Sequence, residues 1–333
     1  MPTQAQAFAA RLGLSYTPSS YQAAIFDHIE NGRGHAVVEA VAGSGKTTTI
    51  VSAARLTAGE GLFVAFNKSI ASELGTRLEG TSMVAKTVHS VGFAAVRKFN
   101  RGVKVNASKY RDLLKTFERD VSRGSICGRK VSGAESQALE EHGRFPMPVI
   151  ARLLDLVRLS LVDCEASDAF DSSVLALADH HGLDIPAGLE SIVVESVRRA
   201  ALVGKNKTNE VDFTDMIWLP VVHGYATTTY SWVFVDECQD ISAAALALVK
   251  MCVRRGGRML FVGDRRQAIY GFAGADAESF ANIIESTHAT VFPLSVCYRC
   301  PSAVLAMARE YCPQVEARPN APAGVRFDPF VPE

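Results

Sequence analysis

Gly43-Ser44-Gly45-Lys46-Thr47 places two glycines, a lysine and a hydroxyl in one short turn, the composition needed to hold a polyphosphate. Glycines let backbone N–H groups converge on phosphate oxygens without a Cβ in the way. Lys46 then reaches the β- and γ-phosphates, and the Thr47 hydroxyl can ligate Mg²⁺. The wider candidate nucleotide-binding set is Ala42, Gly43, Ser44, Gly45, Lys46, Thr47 and Thr48. A second constellation, Asp236-Glu237-Cys238-Gln239-Asp240, supplies paired carboxylates. Asp236 can hold the metal while Glu237 orients and deprotonates an attacking water. A third, Gly263-Asp264 followed by Gln267, offers a neutral amide that can sense a γ-phosphate without charge repulsion. Tyr270 and Phe272 flank Gly271 just beyond it. They read either as stacking platforms for unpaired bases or as two core aromatics.

Such residues need rigid supports, and the flanking patterns provide them. His35–Ala40, Trp232–Val235 and Arg258–Val262 are short apolar runs of the kind that form buried parallel strands. Each delivers its polar motif to a strand's C-terminal end, where α/β sheets place ligands. Thr48–Leu56 is helix-compatible, so the Gly-rich turn opens a helix whose N-terminus favours anions. An Asp-Glu pair alone could equally cap a following helix. The phosphate loop upstream tips the reading towards ATP chemistry with Mg²⁺.

With these motifs in this order, the chain resembles the UvrD/Rep-like superfamily 1 DNA helicases, and among them the F-box DNA helicase branch. The likeness runs through short blocks over most of the sequence. It implies that Gln22, after Tyr21, reads the adenine edge. It implies that Phe66 and Asn67, within Phe63–Lys68, and Thr87 and His89 contact DNA together with Tyr270 and Phe272. Val211–Asp215 resembles the segment that re-enters the first motor domain. Tyr298 would stack on adenine, and Arg299 would act as an arginine finger beside the catalytic Lys46, Glu237 and Gln267. Cys238, Arg265, Arg266 and Phe272 depart from the family's usual residues. Phenylalanine in place of tryptophan at 272 would stack over less area.

The implied fold class is α/β: a RecA-like P-loop NTPase domain with an inserted helical subdomain and the start of a second RecA-like domain. Residues 1–92 and 211–292 would form the discontinuous ATP-binding domain, 93–210 the helical insertion, and 293–333 the incomplete second domain. Apolar residues recur at helical spacing in 149–157 and 189–203, and Pro301–Tyr311 reads as one further helix. A complete second domain needs well over roughly a hundred residues more. The chain therefore reads as a truncated product, or as one half of a motor whose other half a partner supplies.

Net charge is zero, with 35 basic and 35 acidic residues, which excludes a uniformly basic coat but not a local groove. Arg97, Lys98, Arg101, Lys104, Lys109, Arg111, Lys115, Arg119, Arg123, Arg129 and Lys130 face few acids. They form either a phosphate-following stripe or a solvated helix face. No apolar stretch approaches the roughly 20 residues that span a bilayer, and an odd number of cysteines, 7, suits a reducing compartment. A cytoplasmic protein without membrane contact is expected. Cys297 and Cys300, with Cys312 and His288 near in sequence, read better as packing residues than as metal ligands.

The expected activity is an ATP-dependent helicase or translocase on single-stranded DNA and single-strand/duplex junctions, 3′-to-5′ by resemblance, in repair, replication or recombination. Two alternatives stand beside it. A different P-loop ATPase such as a recombinase is disfavoured by the Gln267–Tyr270 spacing and the Tyr298-Arg299 pair. A non-catalytic ATP- and DNA-binding module that regulates a full helicase would suit a chain with one motor domain.

Overall fold

A computed structural model describes residues 2–65, 67–267 and 279–324, without the side chains of 167 and 168. Chain order begins with α1 (Gln4–Leu12), α2 (Ser20–Asn31), β1 (Ala36–Ala40), α3 (Lys46–Ala54), β2 (Gly61–Ala65), α4 (Lys68–Arg77), β3 (Met83–Thr87) and α5 (Val88–Phe99). A mainly helical stretch follows: β4 (Lys104–Val105), α6 (Lys109–Val121), β5 (Ser125–Ile126), β6 (Arg129–Lys130), α7 (Gly133–His142), α8 (Met147–Leu159), α9 (Ser167–His180), α10 (Glu190–Asn206) and β7 (Glu210–Val211). Then come α11 (Phe213–Val222), β8 (Tyr230–Val235), α12 (Ala243–Met251), β9 (Val253–Gly263), α13 (Ser279–Thr287), β10 (Thr290–Leu294), β11 (Val296–Cys297), α14 (Ser302–Ala308) and β12 (Glu316–Ala317).

Six parallel strands form the central sheet in the order β10-β1-β9-β8-β2-β3. Both faces are buried, which explains the near-continuous apolar runs. Val38, Phe63, Phe234 and Leu260 pack on one face; Val37, Leu62, Val64, Val233 and Phe261 pack on the other. The chain is thus α/β with a parallel central sheet, as a RecA-like domain has. Its edge strand β10 runs to Leu294, across the boundary expected at 292. The predicted helix over Pro301–Tyr311 is shorter, Ser302–Ala308.

Helices α5 to α11 enclose a second core that includes Leu114, Ile150, Leu153, Phe170, Val197 and Trp218. Inside it lies a polar cluster that the sequence did not announce. Asp215, fully buried, accepts from Lys109 Nζ at 2.6 Å, Tyr110 Oη at 2.7 Å and Arg158 Nη1 at 2.9 Å. Arg158 also pairs with Asp212 and Asp155 and lies over the Tyr110 ring. Lys109 is therefore no part of an exposed basic stripe; burial lowers its pKa against the pull of Asp215. α5 and α11 cross at Gly92, where a Cβ would lie 1.8 Å from the Met216 carbonyl oxygen.

Arg129 leaves the stripe too, as a two-pronged partner of Glu135, which also completes the capping box of α7. The guanidinium, then the Ser132 N–H, hold the Glu135 carboxyl down from its ordinary 4.5 to about 2. A depressed carboxylate stabilises the fold while ionised. Its contribution is fully present above pH 4.5 and lost as pH falls towards 2. Chemical denaturation of the native protein and E135Q across this window should show their stability gap closing as pH drops. A gap constant with pH would rule the pair out as the cause.

Candidate nucleotide site and its surroundings

The sheet's parallel strands present their carboxyl ends on one side, and the polar motifs collect there. β1 runs into a loop in which Gly43 and Gly45 adopt φ +74° and +79°, left-handed values that favour glycine. Gly45 caps α3, but no side chain accepts from the helix's first N–H groups, so that end can receive an anion. Ala42, Thr47 and Thr48 line the same turn. Ser44 is buried, and among the described residues its hydroxyl has no hydrogen-bond partner. A cradle of uncapped N–H groups with an orphaned hydroxyl fits a polyphosphate.

The loop is closely backed. Tyr298 N–H donates to Gly43 O at 2.9 Å. A Cβ at Gly43 would lie 2.9 Å from Arg299 Cβ and 3.0 Å from Cys297 Sγ. Tyr298 and Arg299 are thereby brought beside the loop, Tyr298 half-exposed. Cys297, Cys300 and Cys312 pack around Val41, Leu305 and Val315. Among the described residues no group of three or more His, Cys, Asp or Glu is arranged to hold a metal.

Opposite the loop, Lys46 Nζ donates to Glu237 Oε2 at 2.7 Å. Gln239 Nε2 donates to that same oxygen at 3.0 Å and to Asp240 Oδ2 at 3.1 Å. Its Oε1 accepts from Asp264 N–H at 3.1 Å, and Asp264 Oδ2 accepts from Gln267 Nε2 at 2.8 Å. One unbroken polar chain therefore runs from Lys46 to Gln267. Glu237 stands at φ +48°, a left-handed conformation uncommon for a side-chain-bearing residue and a kind of strain that gathers at functional sites. Burial, then the neighbouring Glu237 charge, pushes Asp236 up to about 6, and the same two causes act on Asp240, also to about 6.

Gln22 is 2% exposed. Its Oε1 accepts from Ser19 N–H and its Nε2 donates to Thr49 Oγ1 at 2.9 Å. One amide N–H and the second lone pair of Oε1 remain for a base edge. Asn67 and Thr87 serve as N-caps of α4 and α5, which holds them at the carboxyl ends of β2 and β3. His89 meets Phe213 edge-on at 6.2 Å, and Phe213 is largely exposed. Phe66, Tyr270 and Phe272 lie outside the described residues. A cavity of about 310 Å³ behind the carboxylates is lined by His89, Ile217, Asp236, Asp240 and Ala245 among others. Asp240, whose buried Oδ1 has no partner among the described residues, borders it. The bridging role of Gln239 was not read from the sequence; an amide two residues after the carboxylates was its only signal.

The family described as the UvrD/REP helicase N-terminal domain matches residues 22–288. The ATP-dependent DNA helicase PcrA of Staphylococcus aureus (strain Mu50 / ATCC 700699) is 29% identical over 114 residues, 32% of this chain and 16% of PcrA. The ATP-dependent DNA helicase srs2 of Schizosaccharomyces pombe is 23% identical over 308 residues, 86% of this chain and 34% of srs2. The chain thus spans about a third or less of the length of these curated relatives. With the match covering most of its residues and the phosphate loop and carboxylates assembled as above, the chain belongs to the UvrD/REP helicase N-terminal domain family.

Proposed function

We propose that this chain is the ATP-binding part of a DNA helicase or translocase that moves 3′-to-5′ on single-stranded DNA. In this reading residues 1–92 and 211–292 are the RecA-like motor domain, 93–210 its helical insertion, and 293–333 the beginning of a second motor domain. The observation that carries it is the polar chain from Lys46 through Glu237, Gln239 and Asp264 to Gln267.

Lys46 and the free N–H groups of α3 would hold the β- and γ-phosphates of ATP, with Tyr298 and Gln22 at the adenine. Thr47 and Asp236 would hold Mg²⁺, which when bound neutralises phosphate charge. Glu237 Oε2 takes the proton of the attacking water once Lys46 turns to phosphate. Gln267 is held by Asp264 and meets the γ-phosphate; Arg299 stabilises the charge that develops there. Asn67, Thr87 and His89, with Phe66, Tyr270 and Phe272, would track unpaired bases.

Motor action requires the two ligands to influence each other. Nucleotide affinity measured with and without saturating oligo(dT) should differ about 5- to 150-fold, the usual span of coupling between sites. Identical affinities would remove the motor reading. Displacement of streptavidin from 5′-biotinylated strands, and not from 3′-biotinylated ones, checks the direction in a protein carrying both motor domains.

A further inference from the structure

Far from the strand ends, three rings form a column. Phe99, the last residue of α5, stacks on Tyr225 with ring centres 4.3 Å apart and planes 14° from parallel. Tyr225 in turn stacks on His223 at 5.1 Å and 10°, and His223 Nε2 is fixed by the Lys205 carbonyl at 2.9 Å. The two inner rings are held in place, and Tyr225 is buried, yet Phe99 is 64% exposed. A large aromatic at a helix end gains nothing from facing water. Here it is presented as a rigid plane.

Four cations lie within five residues of it in sequence. Arg97, Lys98, Arg101 and Lys104 are all exposed, and among the described residues none makes an ion pair or a side-chain hydrogen bond. No acidic residue falls between 97 and 104. The turn that carries Arg101 is set by Asn100, whose side chain accepts from Gly102 N–H and donates to the Thr208 carbonyl. The patch therefore combines a stacked aromatic plane with four cations that make no ion pair among the described residues, although Glu210 stands opposite Lys104 in the β4–β7 register; ring and cations are what a single-stranded nucleic acid offers partners for.

We propose that Phe99 is a base-stacking platform for single-stranded DNA, with Arg97, Lys98, Arg101 and Lys104 engaging the flanking phosphates. This site is separate from the track at the strand ends, because α5 is about 18 Å long at 1.5 Å per residue and Phe99 stands at the end opposite His89. An acidic peptide would satisfy the cations but would leave the ring's open face without a planar partner. The inference rests on the DNA reading above.

Binding of the 333-residue chain to a short and a long oligo(dT), followed by fluorescence anisotropy, tests it. F99A should weaken the long oligonucleotide roughly 5- to 150-fold, the range for one lost stacking platform. It should leave the short one and ATP unchanged, and F99W should restore the loss. The double variant R101A/K104A should flatten the slope of log affinity against log salt by about 1.4, at ~0.7 per phosphate contact on a single strand. If the native chain binds DNA and F99A binds both lengths equally well, the platform is overturned while the motor reading stands. If the native chain binds no DNA, both fall. Loss of poly(Glu) binding in F99A with DNA affinity unchanged would assign the face to an acidic protein and also overturn the proposal.

Discussion

Glu237→Gln is expected to lower ATP turnover by about 10²- to 10⁴-fold, the usual worth of a positioned general base, while nucleotide affinity holds or rises. The direction of the affinity change comes from the Lys46–Glu237 pair at 2.7 Å. Before phosphate can claim Lys46, that pair must open. A neutral amide at 237 keeps the hydrogen-bonding shape and removes the competing charge. Lys46→Ala should do the opposite: affinity falls, because a charge-assisted phosphate contact is gone. Fluorescent nucleotide titrations and single-turnover hydrolysis on both variants separate the effects. If E237Q bound nucleotide as weakly as K46A, Glu237 would not be the base.

Asp215→Ala should destabilise the chain by about 3–5 kcal/mol, the range for breaking a buried ion pair from one side. The alanine leaves Lys109 and Arg158 buried with two of their shortest contacts removed. It also strips Tyr110 Oη of its acceptor. Desolvation explains why repair should work by removing charge rather than by restoring it: replacing Lys109, Arg158 and Asp215 together by methionine and leucine should recover much of the loss. Urea denaturation monitored at Trp218, which packs in the same core, reads both changes. A loss under about 1 kcal/mol for D215A would mean that water reaches the cluster.

The two cases differ in how visible they were beforehand. Lys46, Asp236 and Glu237 sit at the ends of apolar runs, and the runs became β1 and β8 with the polar residues where strand ends put them. The helical periodicity of 149–157 and 189–203 became α8 and α10. Local pattern was enough, since each element's neighbours in sequence decide its type. The buried cluster could not be read this way. Lys109 and Arg158 look like any surface cations until α6, α8 and α11 pack, and charge counted along the chain puts Lys109 in an exposed stripe, whether phosphate-following or solvated. Gln22 shows the converse limit: the resemblance implies a base-reading role for it, and three residues after Ser19 its Oε1 also completes the capping box of α2, a second use that the motif does not reveal. Gln239 joins two motifs some 25 residues apart, a distance no periodicity spans.

The crossing of α5 and α11 at Gly92 has a mechanical meaning. Backbone there rests on backbone, with no side chain between to deform. α5 is consequently a stiff strut, braced near its upper third against a helix whose own first turn is bolted into the Asp215 cluster. His89 is one bearing of that strut and Phe99 the other. The His89 and Phe99 ends of α5 are therefore tied to one pinned axis, and a tilt at one end implies a tilt at the other.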